Sequence, residues 1–223
     1  MESKGEKKLK NLFPMFMKLD ERPVLVVGAG NIAESKIGAL LETGANIRVV
    51  ALRATEQVRE WARAGLITLQ ERAFVAEDLD GVFLVVVGTS SGELNQVVFR
   101  EARRRGVLCN VVDVPEQCDF FYPAVVRRGD LQIAISTSGQ SPSLAQKLRQ
   151  QLERQFGPGY ATWVAELGET RREVLRSGLD PERKKYLLHS LASREAFEAM
   201  VANTVVSKAP ASEPSGSEKG EVA

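Results

Sequence analysis

The strongest constraint on the fold is a glycine turn placed between an apolar run and a helical pattern. The segment VLVVGAGNIA fits the pattern G-x-G-x-x-G/A through Gly28, Gly30 and Ala33. In dinucleotide-binding proteins the first glycine allows a tight turn, the second lets the backbone approach a pyrophosphate, and the third small residue keeps the helix close to the strand. The sequence therefore predicts a dinucleotide site, against the alternative of a glycine turn in an α/β protein that binds no nucleotide.

Strand and helix patterns alternate through the first 113 residues. Five apolar runs predict buried strands, near residues 22–30, 47–51, 66–69, 82–87 and 107–112. Helical patterns lie at residues 31–43, 55–64 and 92–105. Because such alternation builds parallel sheets, we predict a Rossmann-like, doubly wound α/β domain.

The pattern changes after Pro115. Two strands at 124–127 and 131–136, joined by a tight turn, predict a β-hairpin, and apolar positions at helical spacing follow to about Val201. The last residues have few apolar groups to offset their ordering entropy. We assign five segments: a polar leader 1–11, a nucleotide-binding domain 12–114, a hairpin region 115–150, a helical region 151–202 and a disordered tail 203–223.

Composition excludes several classes of function. The net charge of +1, from 30 basic and 29 acidic residues, provides no general attraction to nucleic acid or membranes. The apolar runs are far shorter than the roughly 20 residues of a membrane span, and the N-terminus does not resemble a secretory signal, so we expect a cytoplasmic protein. A single histidine and two cysteines without a CxxC pattern predict no metal site, and we expect the thiols to stay reduced.

Ligands of doubly wound folds bind at the carboxyl ends of the strands, where Thr89 is expected. Thr89 could contact the ligand, cap the following helix, or do both. The acidic residue that commonly binds the adenosine ribose is absent. In its place Arg53 could favour the 2′-phosphate of NADP, or could flank the adenine together with Leu52. The residues alone leave NAD and NADP open.

Two further segments carry candidate chemistry. Asp113 follows the strand at 107–112, and we expect a partly buried carboxylate that acts as a base, the alternative being a carboxylate that caps a turn. In ISTSGQSPSLAQKLRQ, hydroxyls and a helix N-terminus could bind a polycarboxylate, the alternative being a well-capped helix. The residues of this loop are Ser136, Thr137, Ser138 and Gly139. Arg127 and Arg128 are expected at a solvated hairpin tip, the alternative being contact with substrate carboxylates.

Two stretches together point to a family. LFPMFMKLDERPVLVVGAGNIAESK, followed by NVVDVPEQCDFFYPAVVRRGDLQIAISTSGQSPSLAQKLR, resembles the precorrin-2 dehydrogenase and sirohydrochlorin ferrochelatase family, over about residues 11–200. The resemblance implies a homodimer with a Rossmann domain, a central dimerisation region and a helical C-terminal region. It implies NAD-dependent oxidation of precorrin-2 to sirohydrochlorin, and in some members insertion of ferrous iron.

The resemblance also implies roles for residues. The family's nucleotide contacts fall on Asn31, Ile32, Leu52 and Arg53, which favours NAD. Its essential aspartate matches Asp113, and Thr137 matches a position beside the family's tetrapyrrole pocket. Relatives often have a third glycine where this chain has Ala29, and two aspartates where it has Ser90 and Ser91. Two alternatives remain: a dedicated chelatase, and a non-enzymatic NAD- or tetrapyrrole-binding module that a buried Asp113 would favour.

Overall fold

The computed structural model describes residues 11–207, and the side chains of residues 11–200. Almost all of the expected leader and most of the expected tail lie outside these residues. The chain forms two compact units, Met1–Tyr122 and Pro123–Ala223. Within the described part, no helix is both long enough and apolar enough to cross a membrane.

The first unit is a five-stranded parallel sheet with helices. Its strands are β1 (Pro23–Ala29), β2 (Asn46–Ala54), β3 (Thr68–Glu71), β4 (Leu84–Val87) and β5 (Leu108–Val111). Its helices are α1 (Asn31–Leu41), α2 (Glu56–Arg63) and α3 (Gly92–Arg105), with 3₁₀ turns at Ala76–Leu79 and Pro115–Gln117. In the sheet order β3-β2-β1-β4-β5, strands up to β3 are added on one side of β1, and β4 and β5 are added on its other side. This change of side between β1 and β4 confirms the doubly wound fold.

Alternating apolar side chains of the strands supply the core on both faces of this sheet. Val24 and Val26 of β1 pack with α1 and α2, whereas Leu25 and Val27 pack with α3. All four side chains are at most 1% exposed. Since both faces are covered, the central strands are continuous apolar runs rather than half-polar ones.

The first unit ends eight residues later than the boundary expected at residue 114. Residues 115–122 turn back along β5, where the Asp119 amide donates to the Cys109 carbonyl at 2.7 Å. The Asp119 carboxylate in turn accepts from the Cys109 amide at 3.0 Å, and the Asn110 side chain donates to the Phe120 carbonyl at 2.7 Å. The sequence pattern changes at Pro115 because the strand-helix alternation stops there, but the packing continues.

The second unit contains the expected hairpin and helices. They are β6 (Ala124–Arg128), β7 (Leu131–Ile135), α4 (Pro142–Gln155), α5 (Gly159–Arg176), α6 (Pro181–Leu191) and α7 (Arg194–Ser207). The expectation that Arg128 is a solvated tip residue is wrong. Its guanidinium donates to the Phe156 and Glu153 carbonyls at 2.8 and 3.0 Å, because these groups at the end of α4 have no further helical amides to bind them.

Candidate active site

The two glycines of the turn have different roles. Gly28 has φ +103°, a backbone conformation that residues with a side chain rarely adopt. A Cβ at this position would lie 2.5 Å from the Gly88 carbonyl oxygen. Gly30 is in ordinary extended conformation, with φ −82° and ψ −178°, and a Cβ there would meet no atom within 4 Å. The fold itself requires Gly28, whereas Gly30 leaves open space where a ligand can approach the backbone.

Gly88 also contributes to the packing at the glycine turn, a role that the sequence alone does not predict. A Cβ at Gly88 would lie 3.2 Å from the Cβ of Ala33, which is fully buried in α1. The close approach of β1, α1 and β4 therefore depends on Gly28, Ala33 and Gly88 together. The sequence does show a glycine directly after the buried run LVVV. That this glycine lies beside the Gly28 turn follows only from the strand order, in which β4 pairs with β1.

The N-terminus of α1 has the character of an anion site. Gly30 precedes the helix and no side chain caps its first amides. Asn31 and Ile32 of the first turn are exposed, Ile32 to 54%. Uncapped amides and the positive end of the helix dipole favour a phosphate at this position. Together with the space beside Gly30, these features fit the pyrophosphate of a dinucleotide.

The end of β2 lies next to the glycine turn. The pairing of β1 with β2 shifts register between Val27 and Ala29, so that Ala29 pairs with Ala54. Leu52 and Arg53, directly before Ala54, are both exposed, and Leu52 is 75% exposed. Their position is compatible with contacts to the adenosine half of a dinucleotide.

Thr89 lies beside the glycine turn from the neighbouring strand. Its methyl group is 3.2 Å from the position of a Cβ on Gly28. Its hydroxyl donates to the Asn95 side-chain oxygen at 2.6 Å and accepts from the Ser91 amide at 3.2 Å. Thr89 does not cap α3, because Ser91 has that role and accepts from the Leu94 amide at 3.3 Å.

Asp113 stands on a tight turn after β5. The Val114 amide donates to the Val111 carbonyl at 3.1 Å, and Asp113 between them has φ +63°. Asp113 is exposed, so the expected partial burial is wrong: the residue lies on the turn that follows the buried strand. This exposure removes the condition that would have favoured a non-enzymatic module.

Three candidate positions meet at one edge of the sheet. Gly28, Thr89 and Asp113 lie at the carboxyl ends of β1, β4 and β5, which are successive neighbours in the sheet. Adjacent strands are about 4.8 Å apart, so the dinucleotide turn and the carboxylate are separated by roughly two strand spacings. The edge coincides with the reversal of strand order, where ligands of such folds bind.

The serine-rich loop of the second unit is held by its own hydroxyls. Ser136 and Thr137 accept from the amides of Ser138 and Ser141, both at 3.1 Å, and Ser141 caps α4. Ser138 and Gly139 both have positive φ. The hydroxyl oxygens of Ser136 and Thr137 accept in these bonds, so their protons can still be donated to a carboxylate. Loop capping and anion binding are therefore compatible.

No metal centre is found among the cysteines and acidic residues that the structure describes. Among the described residues, no group of three or more His, Cys, Asp or Glu could hold a metal ion. Both cysteines are free thiols, and burial raises the pKa of Cys109 to about 12. The Cys118 thiol donates to the Val111 carbonyl at 3.2 Å. Both are packing groups of the first unit.

Fold and site together define a dinucleotide-binding protein of the Rossmann class. Residues 15–124 match a family model for NAD(P)-binding domains, and residues 128–155 match the model for the central region of sirohaem biosynthesis proteins. The chain belongs to the siroheme biosynthesis family that combines these two parts, and its first unit is an NAD(P)-binding domain.

Individual relatives agree with this assignment. Siroheme synthase 1 of Serratia proteamaculans is 40% identical over 192 residues, which are 85% of this chain and 40% of the relative. Siroheme synthase 1 of Pectobacterium atrosepticum is 41% identical over 187 residues, 84% of this chain and 37% of the relative. The chain thus spans about two fifths of these relatives. The solved structure of SirC, a precorrin-2 dehydrogenase, superposes with a TM-score of 0.74 at 29% identity, over 87% of this chain and 96% of SirC.

Proposed function

We propose that this chain oxidises precorrin-2 to sirohydrochlorin, with NAD as the electron acceptor. The observation that carries the proposal is an exposed carboxylate, Asp113, on the same sheet edge as the dinucleotide turn. The superposition on SirC over nearly the whole length of that dehydrogenase supports the same activity. In the overall reaction the macrocycle loses two hydrogens, one as a hydride and one as a proton.

Each part of the site has a role in this reaction. Bound NAD supplies the acceptor for the hydride. The amides of Asn31 and Ile32 hold the pyrophosphate, and Leu52 and Arg53 contact the adenosine half. Asp113 accepts the proton that leaves the macrocycle.

The serine-rich loop binds the substrate. Precorrin-2 carries many carboxylates, and the hydroxyls of Ser136, Thr137 and Ser138 donate to them. Gly139 contributes its exposed backbone, and the N-terminus of α4 adds its dipole.

NAD is preferred over NADP in this proposal because the resemblance of Leu52 and Arg53 to the family's nucleotide contacts favours it. Fluorescence titration with NADH and NADPH tests the preference. If Arg53 instead binds a 2′-phosphate, NADPH will bind more tightly than NADH, and Arg53→Ala will remove that difference.

The activity is tested by mixing the protein with precorrin-2 and NAD without oxygen. NADH formed in step with the sirohydrochlorin spectrum supports the dehydrogenase, and Asp113→Asn, which keeps the size of the side chain, should bind NADH normally but turn over at least about 100-fold more slowly. Full activity in that variant would remove Asp113 from the mechanism.

Ferrous iron added to the same sample tests a second activity. An exposed carboxylate such as Asp113 can also accept pyrrole protons when a metal enters the ring. Metal uptake that is faster with protein than without it would add ferrochelation. Metal uptake without any NAD or NADP reduction would indicate a dedicated chelatase instead.

A further inference from the structure

Asn95 is a buried polar residue on the apolar face of α3. It is 7% exposed, and Val98 and Ala102 on the same face are fully buried. Asparagine is a poor helix former, and a buried amide is costly unless its groups are hydrogen-bonded. An aliphatic side chain would suit this face better, so the amide has to be explained by what it contacts.

The side chain of Asn95 contacts Thr89 through both of its polar atoms. Its oxygen accepts from the Thr89 hydroxyl at 2.6 Å, and its NH₂ group lies 3.4 Å from the Thr89 carbonyl oxygen. The opposite amide orientation would place two oxygen acceptors against each other. The Thr89 carbonyl therefore favours this orientation of the amide, in which the amide oxygen accepts the hydrogen bond that the Thr89 hydroxyl donates.

This arrangement limits what Thr89 can offer to a ligand. The other acceptor near its hydroxyl, the Ser91 carbonyl, is 3.4 Å away and cannot compete with a bond of 2.6 Å. One lone pair of the hydroxyl already accepts from the Ser91 amide. What remains is one lone pair, so the Thr89 hydroxyl can accept a hydrogen bond from a ligand but cannot donate one.

We propose that Asn95 is a positioning residue that presents Thr89 to the dinucleotide as a hydrogen-bond acceptor. Phosphate oxygens only accept, so the Thr89 hydroxyl does not bind the pyrophosphate. Ribose hydroxyls and the carboxamide NH₂ of the nicotinamide can donate, and Thr89 binds one of them. The inference rests on the proposed binding of NAD and on the expectation that Thr89 contacts the ligand, and it adds which part of the cofactor Thr89 binds.

A double-mutant cycle tests the coupling, with NADH binding to the full chain followed by fluorescence. Thr89→Val and Asn95→Leu should each weaken binding by about 3- to 10-fold, the usual effect of one hydrogen bond. Asn95→Leu together with Thr89→Val should be no weaker than Thr89→Val alone, because Asn95 acts through the hydroxyl that this change removes. Losses that multiply would overturn the proposal.

Asn95→Asp provides a measurement, the pH dependence of NADH affinity, that a purely structural role of Asn95 would leave unchanged. A protonated carboxyl reproduces both contacts of the amide, donating to the Thr89 carbonyl and accepting from the hydroxyl. An ionised carboxylate instead faces that carbonyl with a second acceptor. The affinity of this variant for NADH should therefore rise as the pH falls, relative to the wild type and Asn95→Leu. Parallel pH profiles for the three proteins would overturn the proposal.

The two donor groups are distinguished with reduced 3-acetylpyridine adenine dinucleotide, which lacks the carboxamide NH₂. If the carboxamide donates, Thr89→Val will not weaken binding of this analogue. If a ribose hydroxyl donates, Thr89→Val will weaken binding of the analogue as much as it weakens binding of NADH. Both results support the acceptor role. A wild-type chain that binds neither NADH nor NADPH would overturn the proposed function as well, whereas normal wild-type binding with uncoupled losses overturns this inference alone.

Discussion

Asp113 occupies a backbone conformation that glycine adopts at lower cost. Its φ of +63° lies in the left-handed region, which costs a residue with a side chain about 1 kcal/mol, although aspartate tolerates it better than most. Residues in such strained conformations cluster at functional sites, so the φ of Asp113 is consistent with a chemical role for its side chain.

We therefore predict opposite effects of Asp113→Gly on stability and on activity. Dehydrogenase activity should be lost, while the free energy of unfolding should stay equal or rise by about 0.5–1 kcal/mol because the strain is relieved. Asp113→Ala should lose activity and also about 1 kcal/mol of stability. Urea unfolding and turnover of the three proteins would measure both effects, and an active Asp113→Gly protein would refute the role as base.

Asp78 is a buried carboxylate, 3% exposed, in the turn before β4. Burial by itself raises the pKa of Asp78, but hydrogen bonds from Arg72 and the Val75 amide, with the charges of Arg72 and Arg48, outweigh it, so the pKa is lowered. Arg72 donates to this carboxylate at 2.8 Å, and the Val75 amide does so at 3.0 Å. A carboxyl with a lowered pKa stabilises the fold above its unfolded-state pKa, and this contribution is lost as the pH falls through the folded-state pKa.

Replacement of Arg72 should destabilise the protein at neutral pH and weaken the loss of stability in acid, because the guanidinium no longer lowers the pKa of Asp78. Arg72→Met leaves a buried carboxylate without its charged partner, and we expect a lower free energy of unfolding at neutral pH. Asp78→Asn should flatten the dependence of stability on pH between about pH 5 and pH 2. Denaturant unfolding across this range provides the measurement, and a pH dependence that Asp78→Asn leaves unchanged would contradict the explanation.

At the scale of elements, the turn between β1 and α1 combines a folding requirement with a binding surface. Gly28 has no room for a side chain, whereas Gly30 has room that the protein itself does not use. Two substitutions in the same turn can therefore separate folding from cofactor binding.

We predict that Gly30→Ala weakens NADH binding at least about 10-fold without lowering the unfolding temperature, since the new methyl group meets only the ligand. Gly28→Ala should lower the unfolding temperature as well, because of its positive φ and the close Gly88 carbonyl. Titration and thermal unfolding of both variants would decide. Equal loss of stability in the two proteins would show that the space at Gly30 has been misjudged.

Elements with a clear pattern of apolar residues were predictable from the sequence. Features that depend on contacts between residues far apart in the sequence were not. Buried strands and α3 follow directly from apolar runs and helical spacing. The segment 115–122 has no period, and its place beside β5 depends on hydrogen bonds of Asn110 and Asp119. The contact of Asn95 with Thr89 and the packing of Gly88 on Ala33 likewise need the folded chain.

The two units of the molecule differ in how much of their apolar surface is buried. Among residues 123–200, for which side chains are described, only Val126 and Ala145 are buried, whereas the first unit has a continuous core on both faces of its sheet. A two-stranded hairpin is marginal by itself. We propose that a second copy of the chain covers the second unit in a homodimer, as the family resemblance implies.

This proposal predicts that the second unit becomes more stable at higher protein concentration. Trp61 lies in the first unit and Trp163 in the second. The tryptophan fluorescence of Trp61→Phe therefore reports on the second unit, and that of Trp163→Phe reports on the first. From about 0.5 to 50 µM protein, the unfolding temperature seen by Trp163 should rise, because dimers dissociate on unfolding, while that seen by Trp61 should change less. Two midpoints independent of concentration, with a monomeric mass by light scattering, would contradict the homodimer.

The return of residues 115–122 along β5 also bears on synthesis of the protein. An uncovered edge strand offers its amides and carbonyls to strands of other chains, and nascent or partly folded domains aggregate by this route. Here the segment that occupies part of that edge, at Cys109 and Asn110, follows β5 by fewer than ten residues. The ribosome therefore delivers the protecting segment almost immediately after the strand, and the sheet can close this edge before a neighbouring chain reaches it.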